Sequence, residues 1–212
     1  MAAYDLEEQE KLDAIKDWWK ENGKVVILSL LAGLLAFGAV KGWRVYKQNL
    51  GESAAVLFDN VEKAGKENDA KKIATAADAL KAQFPASAYA ARAALVSAKA
   101  SFEAKDTDAA TTQLKWVAEK SDDAAFRNLA RLRLAGVLLD QKKYDDALKL
   151  LDEVKDEASI PRVQDLRGDI FAAQAKLPEA RAAYRAALAK EDARSSTRQI
   201  TQMKLDLIGD DK

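Results

Sequence analysis

Residues able to do chemistry are sparse in this chain, and they sit where other work is expected of them. Three carboxylate pairs, Asp122-Asp123, Asp145-Asp146 and Asp210-Asp211, are the kind of arrangement that acid–base catalysis or a divalent cation would use. Each falls at a predicted turn, a helix start or a chain end. Aspartate oxygens at such places cap free backbone amides, and capping is the reading adopted. Histidine and cysteine are both absent from the 212 residues. That removes the commonest general base, the commonest transition-metal ligand, the thiolate nucleophile and any disulfide framework. It also fits an oxidising compartment, where stray thiols are a liability. No Gly-rich phosphate loop is present, and no serine sits in a nucleophile elbow. Arg167-Gly168-Asp169 spells an adhesion tripeptide, but it lies in a predicted helix, where a packing glycine is the simpler account. No catalytic residue, cofactor or metal is assigned, and the chain is read as a non-enzyme.

The elements around these residues are more informative. Lys and Arg number 34, as do Asp and Glu, so the formal net charge is zero. A balanced charge argues against a nucleic-acid partner. Near the start, Val25 to Val40 forms an uncharged apolar run closed by Lys24 and Lys41, with no acid between Glu21 and Glu52. From Trp19 to Trp43 a helix rising ~1.5 Å per residue extends roughly 36 Å. That covers a hydrocarbon core of about 30 Å. Val25, Leu28, Leu31, Leu34, Phe37 and Val40 are assigned to the membrane span. Trp18 and Trp19 mark one membrane interface, and Trp43 and Tyr46 the other. A soluble core helix is seldom apolar on every face over this length. A cleaved signal would need a basic start, whereas the preceding segment is acidic. Gly38 and Gly42 have the GxxxG spacing that lets membrane helices approach closely, a weak signal for a helix partner.

Lys11, Lys16, Lys20 and Lys24 stand before the apolar run Val25 to Val40, against Lys41, Arg44 and Lys47 after it. The excess leans towards a cytoplasmic N-terminus and an external C-terminal domain. Residues 1–23 read as an amphipathic helix carrying Leu6, Gln9, Leu12, Ile15, Trp18 and Trp19. A helix lying on the membrane surface and a short solvated lead-in both remain open. Asn22-Gly23 is expected to break or cap this helix before the span, which is assigned to residues 24–46.

Residues 47–212 are read as all-α, an α-solenoid of stacked helix pairs. The clearest pair runs from Asn128 to Pro161, with Leu132, Leu134, Ala135 and Leu138 on its first helix and a turn at Gln141-Lys142-Lys143. Tyr144-Asp145-Asp146-Ala147 opens the second helix, and Leu151 and Val154 continue its apolar face. This looks like a tetratricopeptide repeat. Leu177-Pro178-Glu179-Ala180 repeats the motif 33 residues later, with Tyr184 and Ala187 on the same face. Thr107-Asp108-Ala109-Ala110 is a looser copy 37 residues upstream of Tyr144, followed by Leu114 and Val117. An earlier pair is expected from Ala54 to Ala64 and from Ala70 to Phe84, stopped by Pro85. One helix pair cannot bury its apolar face, but a stack can. Ser196 to Ile208 is the expected closing helix, N-capped by the Ser195-Ser196-Thr197 run, with Ile200, Met203, Leu207 and Ile208 as its apolar stripe; Asp210-Asp211-Lys212 is solvated.

Three stretches also carry a family likeness. They are Ala14-Ile15-Lys16-Asp17-Trp18-Trp19-Lys20-Glu21-Asn22-Gly23-Lys24, Gly42-Trp43-Arg44-Val45-Tyr46, and Asp165-Leu166-Arg167-Gly168-Asp169 with Gln202-Met203-Lys204 and Leu207-Ile208. In this order of elements the chain resembles the YfgM-like ancillary subunit of the bacterial SecYEG translocon. The resemblance implies a single-pass inner-membrane protein with its tetratricopeptide-like domain in the periplasm. It implies as partners the SecYEG translocon and a membrane-anchored, prolyl-isomerase-like periplasmic chaperone, and a role in handing over proteins as they emerge. The concave face of the stack is expected to bind a chaperone or unfolded client proteins, with Arg131, Tyr144, Arg167 and Tyr184 as the candidate partner contacts. A structural adaptor in cell-envelope assembly is the alternative, and self-association stays open.

Overall fold

A computed structural model describes residues 2–192 and 194–209, with side chains from residue 10 onward. Its regular elements among these residues are helical. They are α1 (Ala2–Lys66), α2 (Ala70–Gln83), α3 (Ala88–Glu103), α4 (Thr107–Lys120), α5 (Ala124–Asp140), α6 (Tyr144–Asp152), a 3₁₀ turn (Glu157–Ser159), α7 (Ile160–Ala173), α8 (Leu177–Lys190) and α9 (Ser196–Ile208). The chain divides into two compact units at Leu50 and Gly51.

The first unit is helix only. Its 18-residue apolar window has a mean hydropathy of 2.1 and is almost wholly uncovered by protein, so it is long and apolar enough to cross a membrane. The expected break at Asn22-Gly23 does not occur. The Asn22 side-chain amide donates to the Trp18 carbonyl at 3.1 Å, one turn back, so its hydrogen-bonding capacity is used within the helix. Gly23 is needed for a close approach instead. A Cβ there would stand 3.1 Å from Cε2 of Trp19, whose indole lies over the backbone. Of the expected amphipathic face, Leu12, Ile15, Trp18 and Trp19 are exposed. The side chains of Leu6 and Gln9 lie outside the described residues, as does all of Asp210-Asp211-Lys212.

The second unit stacks consecutive helices, each packed on the next from α2 to α9. One core cluster joins Ala54, Phe58 and Val61 of α1 to Ile73, Ala77 and Leu80 of α2 and to Ala90 and Ala93 of α3. A second runs through Leu95, Leu114, Val117, Leu134, Leu151 and Ile170. Fully buried alanines on the facing helices allow close approach, while the leucines and valines supply most of the apolar area.

Four hairpin turns share one backbone clasp. Asn68, Lys105, Lys142 and Ala175 have φ of 53°, 64°, 59° and 60°. After each, an amide reaches back five residues: Asp69 to Ala64, Asp106 to Ser101, Lys143 to Leu138 and Lys176 to Phe171, at 2.8–3.2 Å. This satisfies a free carbonyl at the end of the preceding helix. Asp69 and Asp106 then cap α2 and α4 through their side chains, accepting from the amides of Lys72 and Ala109 at 3.0 Å. Asp123 caps α5 by accepting from Ala125 at 2.7 Å.

The closing helix has the expected bounds, but its apolar stripe faces outward. Ile200, Met203 and Leu207 are exposed, and Ile208 is only part-buried. The buried face turns on Thr201, whose hydroxyl lies 2.9 Å from Oδ1 of Asp165. Beside it, Lys204 donates to Asp165 at 2.9 Å and to Asp169 at 2.7 Å. The carboxylates of α7 need cationic and hydroxyl partners, and that requirement sets the rotation of α9.

Candidate functional site

Polar chemistry on the second unit collects between α4, α5 and α6. These helices line an open groove of about 850 Å³. Lys115 and Glu119 come from α4, Arg127 and Arg131 from α5, and Lys149 from α6, with Glu153 just beyond its end. The lining mixes both signs of charge over an apolar floor that includes Leu134 and Leu138. The buried Thr111 hydroxyl on α4 also lines this groove and has no hydrogen-bond partner. Arg127 donates to the carbonyls of Ser121 at 2.7 Å and Asp122 at 2.9 Å, closing the end of α4.

The end of α6 is held from both sides. Arg131 of α5 donates through Nε to Glu153 at 2.9 Å. Arg167 of α7 pairs with Asp152, and its own Nε is buried without an acceptor. The structure therefore brings two of the four candidate partner contacts to adjacent carboxylates. Both arginines are only part-exposed. Tyr144 lies at the opposite end of α6, part-buried against the core. Tyr184 is 2% exposed and is a packing residue rather than a partner contact. Its ring fills the space left by Gly168, where any Cβ would overlap it, and its hydroxyl donates to Asp169 at 2.8 Å.

The adhesion tripeptide is consumed in this packing: Arg167 is paired to Asp152, Gly168 admits the Tyr184 ring, and Asp169 binds Tyr184 and Lys204. Burial pulls the Lys204 ammonium down, but its bonds to Asp169 and Asp165 outweigh this and leave its pKa above the usual lysine value. Burial first, and then the bond to Asp169, push the Tyr184 phenol well above the ordinary tyrosine range. Among the described residues no three Asp or Glu side chains converge in a geometry that would hold a metal ion.

Sequence reasoning missed Thr111, Lys115 and Lys149 as groove residues, because solvated helix faces carry similar side chains. It also passed over Gly136, although an isolated glycine in a leucine-rich helix is a signal. In the first unit, Val25, Leu28, Leu31, Leu34, Phe37 and Val40 are all exposed, as are Trp18, Trp19, Trp43 and Tyr46. The Trp43 and Tyr46 rings are 5.9 Å apart, and the Lys47 ammonium lies 5.7 Å from the Trp43 ring.

Comparison with known proteins covers nearly the whole chain. A model of the tetratricopeptide repeat-like domain family matches residues 16–210. A protein of Neisseria gonorrhoeae is 39% identical over 212 residues, covering 98% of this chain and 100% of that protein. One from Haemophilus influenzae is 30% identical over 206 residues, covering 96% and 98%. One from Escherichia coli is 29% identical over 201 residues, covering 93% and 95%. Each of the three is named as an ancillary SecYEG translocon subunit.

Proposed function

Because the chain belongs to the family of ancillary SecYEG translocon subunits with a tetratricopeptide repeat-like domain, we propose that it is a non-enzymatic scaffold held beside the Sec translocon. The observation that carries this reading is the coincidence, in one chain, of an uncovered apolar helix with a full-length match to such subunits. In this reading residues 1–23 lie in the cytoplasm, residues 24–46 span the inner membrane, and residues 47–212 form the periplasmic domain. The lysine excess before the span supports that orientation. The span keeps the repeat unit at the point where secreted and membrane proteins emerge. Its surface then hands them to a membrane-anchored periplasmic chaperone of the prolyl-isomerase-like type. Repeat stacks suit this role because they offer extended faces without a catalytic centre.

The test is capture of the full-length protein from gently solubilised membranes, followed by mass spectrometry. Translocon subunits together with a periplasmic chaperone are the expected companions. Cell-wall or outer-membrane assembly proteins without translocon subunits would overturn the proposal in favour of a structural adaptor.

A further inference from the structure

Away from the charged groove, α3, α4 and α5 enclose a smaller depression of about 400 Å³. Its lining is mostly apolar: Ala98, Phe102, Leu114, Val137 and Leu139. Phe102 is 43% exposed although it stands among core helices. Gly136 forms part of the wall, and no atom lies within 4 Å of where its Cβ would be. The glycine is therefore not demanded by packing. Its effect is to leave the depression open, and a volume of this size lies at the small end of ligand pockets.

The rim has a definite charge. Lys99 and Arg133 contribute cations against the carboxylate of Asp140; Lys99 is paired with Glu103 at 3.7 Å, so Arg133 is the rim cation that a ligand would meet. Arg162 of α7 stands near enough to Arg133 for the two positive charges to oppose each other. Among the described residues neither arginine has an acidic partner, whereas Arg131 and Arg167 nearby are both paired. Arg133 on the rim, with Arg162 close to it, gives the apolar pocket an unneutralised positive edge that an anion would complete.

We propose that this depression is a peptide-recognition site, taking a bulky apolar side chain between Phe102 and Gly136 while Arg133 and Arg162 hold an adjacent carboxylate. The occupant is a segment of unfolded polypeptide in which leucine or phenylalanine is flanked by aspartate or glutamate. This rests on the reading of the repeat unit as a surface for emerging chains, and it adds a location and a sequence preference. Basic-flanked segments are disfavoured by the same two arginines, so the site discriminates between clients by charge as well as by hydrophobicity.

The experiment uses the full chain in lipid nanodiscs and fluorescence anisotropy of a labelled Gly/Ser decapeptide with a central Leu-Phe pair flanked by Asp. The expected result is saturable binding that weakens at least about tenfold when the flanking Asp is replaced by Lys or the Leu-Phe pair by Ala-Ala. Gly136→Leu fills the depression with a residue that favours helix, so binding is lost while circular dichroism stays unchanged. The double variant R133E/R162E reverses the preference towards the Lys-flanked peptide. Absence of binding to the unaltered chain, equal binding of the Asp- and Lys-flanked peptides, or undiminished binding to Gly136→Leu would each overturn the proposal. Translocon capture by Gly136→Leu is measured in parallel and is expected to persist. Loss of translocon subunits from the unaltered chain would defeat the scaffold reading, independently of the peptide result.

Discussion

Gly168 of α7 lies directly against the ring of Tyr184 of α8, so closely that a methyl group on the glycine would occupy the position of the ring edge. Around this contact the Tyr184 hydroxyl, the Lys204 ammonium and the Thr201 hydroxyl converge on Asp165 and Asp169. The last three helices are thus joined by one close approach and one polar network. Gly168→Ala should lower stability by about 1–3 kcal/mol, the usual cost of overpacking a rigid core. Thermal unfolding measures it. The penalty should shrink in a Tyr184→Leu background, where the narrower side chain leaves room. An equal penalty in both backgrounds would mean that the ring is not the obstacle.

The same network predicts an alkaline weakness. Lys204 and Tyr184 both have folded-state pKa values raised above their ordinary values of 10.5 and 10.0. A raised pKa means that the folded chain holds the proton more tightly than the unfolded one. That stabilisation is complete below about pH 10 and is lost as pH rises through the folded values. Urea midpoints should therefore fall more steeply above pH 10 in the unaltered chain than in Lys204→Met/Tyr184→Phe. Parallel curves would rule the network out as the cause.

Left-handed backbone at Lys142 and Ala175 carries a conformational cost that glycine avoids. Lys142→Gly and Ala175→Gly should each raise stability, by about 0.5 kcal/mol once the added freedom of the unfolded chain is counted. Lys149→Gly, inside α6, should instead cost about 1 kcal/mol. Chemical denaturation of the three variants separates backbone conformation from a general effect of glycine.

Arg131 and Arg167 hold the exposed carboxylates at the end of α6, where solvent screens much of the attraction. Alanine at either position should cost no more than about 1 kcal/mol of stability. Capture of the proposed chaperone partner should weaken without unfolding. Unchanged capture by both variants would remove this face from the binding surface.

Leu31 lies mid-way along the apolar run, and a charge there opposes membrane insertion by about 2.5–3.5 kcal/mol. Leu31→Arg should release the protein into the supernatant on alkaline carbonate extraction, while the unaltered chain stays with the membranes. Retention of the variant would mean that the helix is not the anchor.

The parts of the fold that were legible in sequence are those fixed locally. Tyr144 and Leu177 begin helices α6 and α8, Pro178 occupies the first turn of α8, and Ser195 caps α9 by accepting from Thr197 at 3.1 Å. The rotation of α9 was not legible. Ile200, Met203 and Leu207 form the better apolar stripe, yet the position of Asp165 and Asp169 on another helix decides which side is buried. Gly23 and Gly168 were visible as glycines, but only the neighbouring rings of Trp19 and Tyr184 say what their missing side chains are for. Among the candidate contacts, Arg131 and Arg167 share a location because α6 is short enough to place Asp152 and Glu153 between α5 and α7. That is a property of stacking and not of spacing.

The recurrent hairpin clasp is made from peptide groups, and Asn68, Lys105, Lys142 and Ala175 fill its distinctive position with three different residue types. Connectivity here is therefore encoded separately from surface identity. Each hairpin can exchange its outward side chains without renegotiating the bend that holds it. In the proposed scaffold role, this separates the freedom to acquire new partners from the obligation to keep folding.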